Sequence, residues 1–172
     1  MEDQVSIKSV GVKYGLIYGL FSIVYFLLLQ FLNLAGEQSL GYLSFVFMII
    51  MLVFAYKEFK AYNDGFMRLG QGIGLGMLIL LISTVLSSIF SYIYLKFIDD
   101  SMIQMIIDMT REQMATNPDL SDQQIEDALA MSVKFITPEM ILIGGFFSSM
   151  FFGFLISLIM SLIFKKDDPD NY

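Results

Sequence analysis

Side chains that could do chemistry are few and of limited kinds. The chain has no Cys and no His. Thiol nucleophiles, disulfides, imidazole acid–base work, and zinc or haem ligation through those residues are therefore excluded. Carboxylates, hydroxyls and thioethers remain. Asp99, Asp100 and Glu139 sit near predicted helix ends, where two or more could gather for acid–base work on a lipid or envelope substrate. Helix capping accounts for the same three residues more economically. Ser83, Ser87, Ser148 and Ser149 could serve as nucleophiles, but no Lys or His base accompanies them at depth. Met102, Met105, Met109 and Met114 could ligate Cu(I). Helical spacing makes ordinary packing the better reading of them, because Met fills apolar gaps. The acids around them lack the D-x-D-x-D-G spacing of a calcium loop. Gly70, Gly72, Gly74 and Gly76 alternate, yet no preceding strand and no Gly-Lys-Ser/Thr makes them a phosphate loop. They read instead as a flexible, closely packed opening of a span. No cofactor and no metal is expected.

The elements that would position such residues are apolar to an unusual degree. The chain is 56% hydrophobic and 16% charged, with mean hydropathy +0.70, where a soluble domain carries about 25% charged residues. Charges bound four long uncharged windows. They hold 23 residues between Lys13 and Glu37, 19 between Glu37 and Lys57, 27 between Arg68 and Lys96, and 25 between Glu139 and Lys165. A helix needs about 20 residues to cross a hydrocarbon core of roughly 30 Å. The expected fold is all-α: a four-helix transmembrane bundle in a single membrane domain over residues 1–172. The spans are expected at 14–34, 40–56, 72–95 and 141–164. The first is read as a retained helix, since Ala35-Gly36 after Asn33 makes a poor signal-cleavage site.

Lys and Arg set the orientation. Seven of the ten basic residues fall on the amino-terminal flank, the 57–68 connection and the 165–172 tail. The positive-inside rule then puts both termini in the cytoplasm and the 96–139 connection outside. That connection holds nine acids against three bases, nearly all of the net charge of −7. It is patterned as an amphipathic helical hairpin. Met102, Met105, Ile106 and Met109 make one stripe; Ile125, Ala128, Leu129, Ser132, Val133 and Ile136 make the other. Asn117-Pro118-Asp119 breaks the run between them. Ser121 with Gln124 reads as a capping box, and Thr137-Pro138-Glu139 as the start of the last span. Tyr56, Tyr62 and Phe66, interleaved with Lys, suit a membrane–water interface, and Asn63-Asp64-Gly65 reads as a turn. Three bases beside two acids give no support for nucleic-acid binding.

Small residues recur at four-residue spacing within the spans. Gly11, Gly15 and Gly19 form one ladder, Gly72 and Gly76 open a second, and Gly145, Ser149, Gly153, Ser157 and Ser161 form a third. Lipid offers helices no hydrophobic drive to associate, so close approach through small residues is what such ladders supply. No Asp, Glu, Lys or Arg lies inside an expected span, which makes ion coupling and proton relays hard to build.

These features together resemble a known family. Lys13-Tyr14-Gly15 with Gly19, Tyr56-Lys57, Tyr62-Asn63-Asp64-Gly65 leading to Leu69-Gly70-Gln71, the acidic Met-rich connection closing on Phe135-Ile136-Thr137-Pro138-Glu139, and Lys165-Lys166 after an apolar span are similar to the DUF4199 family. Leu69 stands where Phe is more usual. The resemblance covers nearly the whole chain. It implies a small four-span protein of the bacterial cytoplasmic membrane, found mainly in Bacteroidota, and brings no catalytic residue or ligand. The expected role is structural or partner-binding, with Asp122, Glu126 and Asp127 as the candidate partner surface. The lipid bilayer is the first partner, and a membrane or envelope protein or a second copy the next. The alternative is a small-molecule carrier or channel, as an oligomer.

Overall fold

The computed structural model describes residues 6–118 and 120–167. Asp119 and the tail beyond Asp167 lie outside the described residues. Among the described residues there are six α-helices and one 3₁₀ turn, and no β-strand beyond a single bridge pair: α1 (Ile7–Phe31), α2 (Gln38–Ala61), α3 (Leu69–Phe97), α4 (Ser101–Ala115), α5 (Asp122–Ser132), the 3₁₀ turn Val133–Phe135, and α6 (Pro138–Phe164). The helices α1, α2, α3 and α6 are long and apolar enough to cross a membrane. Large apolar side chains such as Leu20, Val24, Phe54, Ile89, Phe147 and Ile163 are exposed along them, the arrangement expected where lipid rather than water is the solvent.

The helices outrun the windows from which they were expected. Helix α1 begins at Ile7, capped by the Ser6 hydroxyl on Ser9 N–H, and α2 continues to Ala61. Charges at these ends are carried inside the helices, and several find partners there. Lys13 Nζ meets Glu58 Oε2 at 2.7 Å, Tyr14 Oη donates to the same oxygen at 2.8 Å, and Lys60 Nζ caps the Phe164 carbonyl at 3.1 Å. Helix α1 ends three residues before Leu34. Asn33 there turns into the left-handed region at φ 54°, which Asn tolerates better than most residues.

The chain divides into two compact units, Met1–Ser87 with Phe146–Tyr172, and Ser88–Gly145. In the first unit α1 runs antiparallel to α2. Phe21 stacks on Phe47 with centroids 3.7 Å apart, and the Tyr18 and Tyr25 hydroxyls donate to the Ser44 and Leu40 carbonyls. Helix α1 runs parallel to α3, and α3 antiparallel to α6, by the contacts of their small residues described below. The turn after α2 places Asp64 at φ 49° and Gly65 at φ 80°. It then pairs Met67 with Lys166 through two backbone hydrogen bonds of 2.9 and 3.0 Å. Met67 is fully buried there.

In the second unit α4 and α5 form the expected hairpin. Ile125 and Leu129 of α5 are buried, whereas α4 has no fully buried residue. Ser121 and Gln124 close a reciprocal capping box at the start of α5. Such a cap contributes about 1 kcal/mol. The expected second stripe ends as a helix at Ser132, because residues 133–135 tighten into a 3₁₀ turn. The Thr137 hydroxyl then accepts Met140 N–H at 3.3 Å as α6 starts.

Candidate functional site

A fully buried polar cluster in the first unit centres on a tyrosine expected at the membrane surface. Tyr56 is fully buried. Its hydroxyl donates to the Gly72 carbonyl at 2.9 Å and lies 3.1 Å from Ser161 Oγ and 3.2 Å from Ser157 Oγ. A phenol has one proton and an oxygen that can accept, so the two serines complete its needs. An interfacial Tyr would keep its hydroxyl in water. Tyr56 instead lies across α3 and α6, where Gly72, Gly76, Ser157 and Ser161 leave a notch. Phe164 packs edge-on against its ring at 5.8 Å.

Glycine makes that notch because a methyl group would not fit. A Cβ at Gly72 would lie 2.6 Å from Ser161 Oγ, and one at Gly76 would overlap Ser157 Oγ and stand 2.8 Å from Tyr56 Oη. The alternating glycines are therefore the first two turns of α3, not a loose opening. Gly72 and Gly76 face inward, while Gly70 and Gly74 meet nothing within 4 Å. On α1, Gly11, Gly15 and Gly19 receive Leu78, Ile82 and Leu86 of α3 in turn. At Gly15 an added Cβ would also come within 3.1 Å of the Ile79 carbonyl, and at Gly19 within 3.1 Å of Ser83 Cα.

The third ladder needs a correction. Gly153 faces Leu80 and Ser157 is buried at the notch, but Gly145 has open space around it and Ser149 is exposed. The reason is helical pitch. At 3.6 residues per turn, every four-residue step rotates about 40° around the axis. Gly145 and Ser161 are four steps apart, so they look in very different directions.

In the second unit the three acids chosen as a partner surface differ in state. Asp122, Glu126 and Asp127 are all exposed. Glu126, however, is held by Arg111 NH2 at 2.8 Å and ties α5 to α4. Asp122 stands in the first turn of α5, where a negative charge suits the helix dipole. Asp127 accepts a 3.4 Å hydrogen bond from Gln123.

Of the three carboxylates considered for acid–base work, Asp99 and Glu139 have structural occupations, whereas Asp100 is exposed and makes no side-chain cap at the start of α4. Asp99 Oδ1 accepts Ser101 N–H at 2.9 Å at the start of α4. That bond holds the Asp99 carboxyl below its ordinary range. Glu139 Oε1 meets Lys96 Nζ at 2.7 Å and accepts from Tyr92 Oη at 3.1 Å. Lys96 also donates to Tyr92 Oη at 2.6 Å. This cluster links the end of α3 to the start of α6. Among the described residues no three His, Cys, Asp or Glu side chains come together as a group that could hold a metal ion.

Four membrane-length helices, a small-residue seat filled by a tyrosine, and an acidic hairpin between the last two spans define a helical multi-pass membrane protein. The sequence model of DUF4199, a family of proteins of unknown function, matches residues 13–166, and the chain belongs to that family. Neither the curated proteins nor the solved structures give a significant match.

Proposed function

We propose that this protein is a non-enzymatic membrane protein that works by contact, with the exposed acidic face of its hairpin as the recognition surface for a basic segment of a membrane or envelope protein. In this reading both termini are cytoplasmic and the hairpin lies outside. The observation that carries it is how the hairpin spends its side chains. Ile125 and Leu129 are buried, and the capping box and the Arg111–Glu126 pair hold the hairpin in shape. Asp108, Glu112, Asp122 and Asp127 are left exposed on a preformed element. A preformed charged surface steers and orients a partner of opposite sign.

The test is crosslinking in native membranes from a photoreactive residue at Gln123, comparing the wild type with Asp122→Lys/Asp127→Lys. Glu126 is left alone because its loss would loosen the hairpin itself. The expected result is a discrete crosslinked species that the double reversal removes while membrane insertion is unchanged. The same species in both proteins would refute the reading. Solute flux through proteoliposomes of the purified protein would favour a carrier instead.

A further inference from the structure

We infer that the root of the hairpin is a lipid-binding collar, seated in the boundary between acyl chains and headgroups of the leaflet on the hairpin side. Phe97 ends α3 and Ile98 follows it at 73% and 66% exposure, Phe135 precedes α6 at 66%, and Met140 lies in its first turn at 49%. Within the same unit, Ile89 and Ile93 on α3 and Ile143 on α6 are exposed apolar residues as well. Those side chains face lipid in a chain that spans the membrane, so the collar extends an interface already there.

Helix length places the collar at the right depth. Counted from the basic end, 27 uncharged residues follow Arg68 and 25 precede Lys165, which is about 40 and 37 Å of helix. Phe97 is the 29th residue after Arg68, so at a tilt of about 20° it stands about 41 Å away along the bilayer normal, an overrun of about 11 Å on a 30 Å hydrocarbon core or about 5 Å at each face. The overrun matches the thickness of the interfacial layer rather than open water.

Charge agrees with that placement. Lys96 would resist the layer if unpaired, but Glu139 neutralises it at 2.7 Å and Tyr92 shares its protons. Lys134 is exposed beside Phe135 and can reach a lipid phosphate while its stem lies along acyl chains. Asp99 and the exposed Asp100 directly follow Ile98, and Asp108, Glu112, Asp122 and Asp127 belong to the α4–α5 hairpin itself, so acids outnumber Lys134 around the collar. A zwitterionic phospholipid therefore fits the collar better than an anionic one.

The chain has no Trp, so a single introduced Trp reports its own surroundings. Phe135→Trp and Phe97→Trp are reconstituted separately in phosphatidylcholine vesicles, beside Ile159→Trp on the exposed face of a span and Gln123→Trp on the hairpin. Lipids brominated near the headgroup are expected to remove at least half as much emission at positions 135 and 97 as at 159, and little at 123. Acrylamide is expected to quench in the reverse order. Strong acrylamide quenching at 135 and 97 would place them in water and overturn the collar. Resistance to both quenchers would mean that protein covers them, and would overturn it too. Failure of brominated lipid to quench position 159 would refute the span assignment itself, and is thereby told apart from failure of the collar alone.

Discussion

Replacing Gly76 by Ala tests whether the small-residue seat holds the spans together. The added methyl would overlap Ser157 Oγ and crowd Tyr56 Oη at 2.8 Å. Either α3 and α6 must part or the Tyr56 hydroxyl must leave Gly72 and the two serines. Forcing an extra carbon into a closed site costs about 1–3 kcal/mol. Gly74→Ala is the internal control. It lies two residues along the same helix with nothing within 4 Å, and Ala there gains about 0.5–1 kcal/mol from helix propensity. Gly76→Ala gains the same propensity, so the two variants should differ by the steric cost alone, roughly 1–3 kcal/mol with Gly76→Ala the less stable. Equilibrium unfolding in mixed micelles, with increasing SDS followed by far-ultraviolet circular dichroism, measures the difference. Ser157→Gly in the Gly76→Ala background removes the blocking atoms and should recover part of the loss as a coupling of at least about 1 kcal/mol. If the two alanine variants unfold within about 0.5 kcal/mol of each other, the seat is not a tight contact and the reasoning fails.

Further expectations follow from other contacts. Gly15→Ala should destabilise in the same assay, because its methyl meets Ile82 and the Ile79 backbone, whereas Gly145→Ala should be neutral or stabilising since it faces open space. Ser121→Ala should cost α5 about 1 kcal/mol, seen as faster amide exchange at Gln124 and Ile125 with α1 to α3 unchanged. Asp99 is held below its ordinary range by Ser101 N–H. Its contribution is complete above the unfolded Asp value of about 3.9 and is lost as pH falls through the lower folded value. The Ser101 amide resonance should therefore move only at pH values below that of a free Asp, and the Asp99→Asn variant should abolish the titration.

The spans were legible because charge is costly in lipid and the sequence keeps it out of four long windows. Their ends were less so. Lys13 looks like a boundary when read singly, but it pairs with Glu58 across α1 and α2 inside the helices. The turn at Asp64-Gly65 and the Ser121 cap were readable because local backbone geometry selects those residues. Tyr56 was not, since its seat is assembled from Gly72 and Gly76 on one helix and Ser157 and Ser161 on another. The signal was present as small residues at four-residue spacing on both helices; what fills the space between them is a three-dimensional fact. Gly145 misled for the opposite reason, as four-residue spacing drifts off a face when extended over five members. Arg111 and Glu126 stand 15 residues apart on separate helices, and only the hairpin register shows that Glu126 is engaged.

Membrane sidedness is the measurement on which the account turns. The chain has no Cys, so single cysteines at the exposed Asp64 and Gln123 can be labelled without background by a membrane-impermeant maleimide. Four crossings with the hairpin between the third and fourth predict labelling of Gln123→Cys in intact cells and of Asp64→Cys only after permeabilisation. Labelling of both positions from the same side would contradict it.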